Sequence, residues 1–252
     1  MTKIIGHRGY AGLYPENTML SFIKAYEYGA DGIELDIHLT ADQEIVVIHD
    51  PTLNRTTNQK RKVNDLTLYD IKSARIKHGL FNVTDEQVPT LKEVMDWIVT
   101  TPLLLNIEIK GETEGALEHA LVDLLQQYNM KERIIISSFN LESLLRMEQL
   151  DPTYHTALLT DKALGEPWMY MESHGINSVH PYGKTYKNET ERHQVVAYNL
   201  PARVYTVNKE KDIVFWLEEQ LDAIITDEVE RAVKLKQAYI NRESRKVEKK
   251  NE

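Results

Sequence analysis

Short aliphatic and β-branched runs alternate with longer amphipathic stretches along the whole chain. The strand-like runs cover residues 4–6, 32–36, 45–48, 103–109, 133–137, 155–159, 176–180, 202–207 and 223–226. Between most of them the apolar residues recur at three- and four-residue spacing, as Met19, Phe22, Ile23 and Tyr26 do, which predicts helices. These fall at 16–28, 91–99, 113–128, 141–150, 163–174, 189–198, 209–220 and 228–240. Strand–helix alternation of this kind predicts a parallel sheet covered by helices. No Gly-x-Gly-x-x-Gly follows the first strand, which argues against a dinucleotide-binding open sheet. The α/β pattern predicts a closed TIM-type (β/α)8 barrel within residues 1–240.

Nine strand candidates compete for eight barrel positions. The surplus lies at 32–48, where two strands are about eight residues apart, too few for the dozen or so that a helical crossover needs. Either the second strand turns back as a hairpin at the barrel mouth or one helix is missing. Both readings bring His49 near the C-terminal ends of the strands. Residues 50–88 are polar, carry the basic run Lys60-Arg61-Lys62, and read as an insertion on that same face. Residues 241–252 are mostly charged and read as a frayed helix or a disordered tail.

With 252 residues the chain is long enough for one large core. Its 30 basic and 39 acidic residues leave a formal charge of −9, unfavourable for nucleic acid or anionic membranes, although a few clustered cations can still hold an anionic small molecule. Absence of cysteine excludes disulfides and Cys-ligated zinc. No apolar signal core precedes the first strand and no stretch is long and apolar enough to span a bilayer, so a soluble, cytoplasmic protein is expected, with oligomeric state open.

Charged residues then change the picture. In Gly-Ile-Glu-Leu-Asp, Glu34 and Asp36 are two apart and share one side of a strand, while Ile33 and Leu35 take the other. Asn106, Glu108 and Lys110 repeat that spacing, and His7-Arg8 and His49-Asp50 stand at further strand ends. Singly, each is ordinary: an exposed pair, a structural histidine, the polar face of an edge strand. In a barrel, however, the strand ends converge on one mouth, where barrel enzymes keep their chemistry. Three facing carboxylates repel unless a cation lies between them, and all-oxygen ligands suit a hard divalent ion, Mg2+ or Ca2+. Two imidazoles beside such an ion suit acid–base catalysis near neutral pH, and Arg8 and Lys110 suit an anionic substrate. Together they point to metal-assisted transfer at phosphorus. Asn17 is a candidate either for this site or for the N-cap of the first helix, and His180 and Tyr182 stand at another strand end.

The segments HRGYAGLYPENTMLSF (7–22) and GADGIELDIHLTADQEIVVIHDPTLNRTT (29–57) resemble the opening signature of the glycerophosphodiester phosphodiesterase family, and VPTLKEV, NIEIK, VYTVN and IITD follow in order. The resemblance spans nearly the whole chain. It implies a TIM-type barrel with an insertion, His7 and His49 as the acid–base pair, and Glu34, Asp36 and Glu108 as ligands of one divalent cation. It further implies Arg8 and Lys110 as phosphate-binding cations and Tyr205 as a pocket-lining residue. The implied reaction converts a glycerophosphodiester to sn-glycerol 3-phosphate and an alcohol through a cyclic phosphate. Three positions depart from the pattern: Gln43 where a glycine is frequent, Gln59 after Asn58, and Tyr205 where a tryptophan is frequent. They bear on the insertion and the alcohol side.

Two other functions compete. A lysophospholipase D-type enzyme would need an apolar rim, for which Leu66, Leu68, Ile71, Leu80 and Phe81 of the insertion are the candidates. A non-catalytic binder of phosphorylated ligands would not need the complete His, Glu and Asp set. A serine hydrolase lacks its Gly-x-Ser-x-Gly.

Overall fold

Alternation along the parallel strands sets the architecture. The computed structural model describes residues 1–79, 82–186, 189–198 and 200–251. The barrel strands are β1 (Lys3–Gly6), β2 (Gly32–Leu39), β6 (Leu104–Ile109), β7 (Ile134–Ser138), β8 (His155–Thr160), β9 (Ser178–Pro181), β10 (Arg203–Val204) and β11 (Ala223–Thr226). They pair in the order β10-β11-β1-β2-β6-β7-β8-β9, every pairing parallel. Single parallel bridges, Val179 to Ala202 and Tyr182 to Tyr205, join the last strand to β10 and bring the ring round on itself. This is the TIM-type barrel that the sequence predicts.

The helices that follow the eight strands are α1 (Met19–Glu27), α3 (Leu91–Ile98), α4 (Ala116–Leu125), α5 (Leu141–Leu150), α6 (Pro167–His174), α7 (Glu189–Ala197), α8 (Glu210–Glu218) and α9 (Val229–Asn251). Ile33, Leu35 and Ile37 of β2 and Leu105, Ile107 and Ile109 of β6 point outward into the main core, with Phe22 of α1, Val94 of α3 and Leu121 of α4. Burying each such side chain contributes about 1.5–3 kcal/mol. Residues 241–251 continue α9 as helix.

The surplus strand resolves as the hairpin, and no helix is missing. After β2 the chain turns at Thr40–Glu44 and returns as β3 (Ile45–Val47), antiparallel to Ile37–Leu39. Gln43 takes φ 65° in this turn, where a glycine would sit without strain. The Ile48 N–H then bonds to the Asp36 carbonyl at 2.9 Å, which sets His49 down beside the barrel mouth. The crossover to β6 is α3.

Between them, residues 50–88 carry a 3-10 turn at Val63–Asp65, α2 (Leu68–Ser73) and the antiparallel pair β4 (Lys77–His78) and β5 (Asn82–Val83). Leu53, Val63, Leu66, Ile71, Ala74, Ile76 and Val88 bury themselves with Val46 and Ile48 in a core of their own. Leu66 and Ile71 are therefore inside rather than on an apolar rim, and Leu68 packs against the same core. Leu80 and Phe81 lie outside the described residues. No described helix is long and apolar enough to cross a membrane.

The inward face is polar at both ends. At the N-terminal end, Arg203 donates to Ser178 Oγ at 3.0 Å, approaches His180 Nε2 at 3.3 Å and pairs with Asp222 at 2.6 Å; Lys3 reaches the same carboxylate at 3.0 Å. His155 Nε2 meets Ser178 Oγ at 2.9 Å. His180 is thus a structural residue, completely buried beside Arg203. Burial, then the Arg203 charge, lowers the pKa of His155 to about 4 and puts His180 well below the ordinary histidine range.

A pH dependence of stability follows. The unfolded chain takes up protons on these rings near pH 6.5 and the folded one does not, so stability rises with pH across the interval between the two values. These rings give the urea midpoint a downward slope on acidification from about pH 6.5 to about pH 4.5, with His155 contributing at most about 3 kcal/mol, against an opposite contribution from the raised Glu34 and Glu108 carboxyls. His155→Gln should flatten that slope. Identical slopes in His155→Gln and the unsubstituted protein would refute the neutral His155 ring.

Candidate active site

The opposite end of the barrel gathers the remaining charge. Parallel register sets Glu34 beside Asn106 and Asp36 beside Glu108 on the neighbouring strands β2 and β6. All three carboxylates are buried, and one oxygen from each lies within 4.8 Å of the others. Glu34 Oε1 has no hydrogen-bond partner. Asp36 Oδ1 and Glu108 Oε1 face Lys110 Nζ at 3.3 and 2.6 Å, but neither is aligned as a hydrogen bond. Without a cation the three cannot all ionise. Burial, then the neighbouring carboxylates, raises Glu34 well above its ordinary range and Glu108 to about 7. Burial also acts to raise Asp36, but Arg8 and Lys110 outweigh it and hold that carboxyl below its ordinary range. Converging, dehydrated and under-bonded oxygens of this kind fit a hard divalent ion.

The loop after β1 supplies His7 and Arg8. Arg8 takes φ 53°, a left-handed conformation that costs a non-glycine residue about 1–2 kcal/mol. Its N–H donates to Glu34 Oε2 at 2.9 Å, its carbonyl accepts from Ser21 at 2.9 Å, and its guanidinium reaches Glu16 at 2.7 Å and Asp36 at 3.4 Å. The next residue has to be glycine: φ is 82°, and a Cβ there would lie 2.4 Å from Ser21 Oγ. Asn17 belongs to the site. It donates to Asp36 Oδ2 at 2.8 Å, while Thr18 caps α1 in a box with Ser21. The helix predicted from residue 16 accordingly starts at Met19.

Both histidines are oriented by carboxylates. His7 Nδ1 donates to Asp227 Oδ1 at 2.7 Å, and Asn208 holds Asp227 through Nδ2 at 2.6 Å and by accepting its N–H at 2.9 Å. His49 Nδ1 donates to Asp50 Oδ1 at 2.7 Å, and buried His38 contacts the His49 carbonyl at 3.1 Å. A carboxylate only accepts, so Nδ1 of each ring carries a proton and proton exchange is left to Nε2. Burial lowers the His49 pKa, against the opposing pull of Asp36 and Asp50. Tyr205 stands on the far side, edge-on to half-exposed Phe139 at 6.1 Å and tilted against Tyr182 at 5.9 Å. Burial and the nearby Glu108 raise its phenol.

His7, Arg8, Asn17, Glu34, Asp36, His49, Glu108, Lys110 and Tyr205, nine of the residues singled out in the sequence, therefore come together at one end of the barrel, and His180 does not. What sequence reading missed are most of their partners, Asp227, Asn208, Glu16, Arg55 and His38, and the part played by Asp50, which it noted only as a strand-end charge beside His49. Asp227 could have been found, since it stands at a strand end and closes IITD.

The sequence profile of the glycerophosphoryl diester phosphodiesterase family matches residues 7–231. The chain belongs to that family. It is a phosphoric diester hydrolase, as its family is. A glycerophosphodiester phosphodiesterase of Caldanaerobacter subterraneus is 39% identical over 240 residues, covering 93% of this chain and 97% of the relative. One of Bacillus altitudinis is 36% identical over 245 residues, covering 94% and 99%. Among solved structures, the glycerophosphodiester phosphodiesterase of Thermotoga maritima superposes with a TM-score of 0.79 at 29% identity, covering 93% of this chain and 98% of that one. An Oleispira antarctica phosphodiesterase, solved in complex with the product sn-glycerol-3-phosphate, shares the fold at a TM-score of 0.85 and 24% identity, covering 93% and 96%.

Proposed function

We propose that this family member hydrolyses glycerophosphodiesters to sn-glycerol 3-phosphate and an alcohol, with His7 and His49 as the acid–base pair and one Mg2+ or Ca2+ held by Glu34, Asp36 and Glu108. The observation that carries this reading is the pairing of two Nδ1-anchored imidazoles with a buried, under-bonded carboxylate triad at one barrel mouth. A divalent ion bound there supplies positive charge for the phosphate oxygens. Arg8 and Lys110 add fixed cations of the same sign beside it, and Asn17 steadies Asp36. One imidazole, neutral, takes at Nε2 the proton of the glycerol hydroxyl that attacks phosphorus, and the other, entering the cycle protonated on both nitrogens, gives its Nε2 proton to the departing alcohol. Water then opens the cyclic phosphate with the two roles exchanged. Tyr205, between Phe139 and Tyr182, lines the substrate side.

The test is product analysis. Glycerophosphocholine or glycerophosphoethanolamine, incubated with the protein and Mg2+ or Ca2+, should yield sn-glycerol 3-phosphate and the free alcohol in equal amounts. Failure of both substrates with either ion would refute the reading. Turnover confined to lysophospholipids would move the activity to a membrane-derived substrate.

A further inference from the structure

Arg55 lies in the insertion, outside the set of groups that the reaction above requires. Its guanidinium nonetheless joins two of them. Nη1 and Nη2 donate to Glu16 at 2.5 and 2.8 Å, and Nε and Nη2 donate to Asp50 at 2.8 and 2.9 Å. Glu16 holds the Arg8 guanidinium at 2.7 Å, and Asp50 holds His49 Nδ1 at 2.7 Å. One planar fork thus ends two chains of contact, one leading to a phosphate cation and one to an acid–base imidazole. Lysine, with a single nitrogen, cannot reproduce it.

Four of the five guanidinium N–H groups are committed to these two carboxylates. Its single positive charge is shared between two carboxylates, which leaves Arg55 poorly suited to hold substrate phosphate itself. The backbone beneath it is fixed: Leu53, Thr56 and Thr57 are buried, the Thr57 N–H bonds to Leu53 O at 3.0 Å, and the Lys77 N–H bonds to Thr56 O at 2.8 Å.

We infer that Arg55 is a positioning residue for the hydrolysis, a single clamp that sets His49 through Asp50 and Arg8 through Glu16 and so ties the insertion to the chemistry. The inference rests on the reading under Proposed function. Without the clamp, Asp50 and Glu16 are free to turn, and the imidazole and guanidinium they hold lose their fixed orientation.

Arg55→Ala should lower kcat by about 100-fold, the scale of an ångström-sized misplacement of a catalytic group, and raise KM severalfold as Arg8 loosens. Arg55→Lys should fall between it and the unsubstituted protein. Added guanidinium should restore part of the Arg55→Ala turnover and none of that lost in His49→Ala. Arg61→Ala, which removes an exposed insertion arginine 3.8 Å from Asp70, should leave kcat and KM unchanged. Normal kinetics in both Arg55 variants, with His49→Ala inactive, would overturn the clamp alone; an active His49→Ala would overturn the functional reading beneath it. Loss in the Arg55 variants that guanidinium does not restore and that follows a fall in melting temperature would make Arg55 merely structural and also overturn the inference.

Discussion

Removing the divalent ion with EDTA should bring phosphodiester turnover to background while the barrel stays folded, and adding back Mg2+ or Ca2+ should restore it. The expectation comes from the electrostatics of Glu34, Asp36 and Glu108. Three buried carboxylates with oxygens within 4.8 Å repel one another, and Arg8 and Lys110 supply two charges against three. An ion that binds the folded state alone stabilises it, by about 2.7 kcal/mol at a hundredfold excess over its Kd, so the melting temperature should rise on ion addition. Glu34→Gln separates this from a general need for divalent ions. It should abolish turnover, remove the rise in melting temperature, and leave the ion-free protein at least as stable as the unsubstituted one, because a costly buried carboxyl has gone. Calorimetry of the two proteins with and without EDTA decides it; unaltered ion stabilisation in the variant would place the ion elsewhere.

Substituting either imidazole should be nearly as damaging. Loss of a general acid or base typically costs 10²–10⁴-fold, so His7→Ala and His49→Ala should each lower kcat by about 10³-fold. Both rings are partly exposed at the mouth, and truncating them opens no large cavity in the main core. Melting temperatures should therefore move little. Since the two rings act within one proton-transfer cycle, the double variant should be scarcely worse than the poorer single one. Steady-state kinetics of the three variants test this, and a double variant showing the product of the two single losses would mean that the histidines act independently.

The barrel was legible because its outer faces are regular: Ile33, Leu35 and Ile37, then Leu105, Ile107 and Ile109, keep a strict period of two against helices of period 3.6. The triad was legible for the converse reason, since Glu34, Asp36 and Glu108 occupy inward positions where apolar residues are the rule. Local spacing could not decide the hairpin, because β3 pairs with the end of β2 while the covering helix α3 comes only after the insertion. Glu16 and Arg55 escaped notice because a loop carboxylate or arginine has no period, and its partner is fixed by a fold that brings residues 16, 50 and 55 together. At the other end of the barrel, His155 and Arg203 look like polar strand ends in sequence. Folding closes a ring around them.

The return strand β3 has one more consequence. The insertion leaves the barrel and rejoins it on the same side, and it is filled by its own buried residues from Leu53 to Val88. Its outer turns can thus be lengthened, shortened or exchanged for those of a homologue without altering the register of a single barrel strand. The mouth is in effect a socket, in which the carboxylate triad belongs to the barrel strands and the segment 50–88 is a replaceable fitting. Grafting that segment between homologues, with Arg55 and its two carboxylate contacts retained, is the natural way to exchange the fitting while leaving the triad untouched.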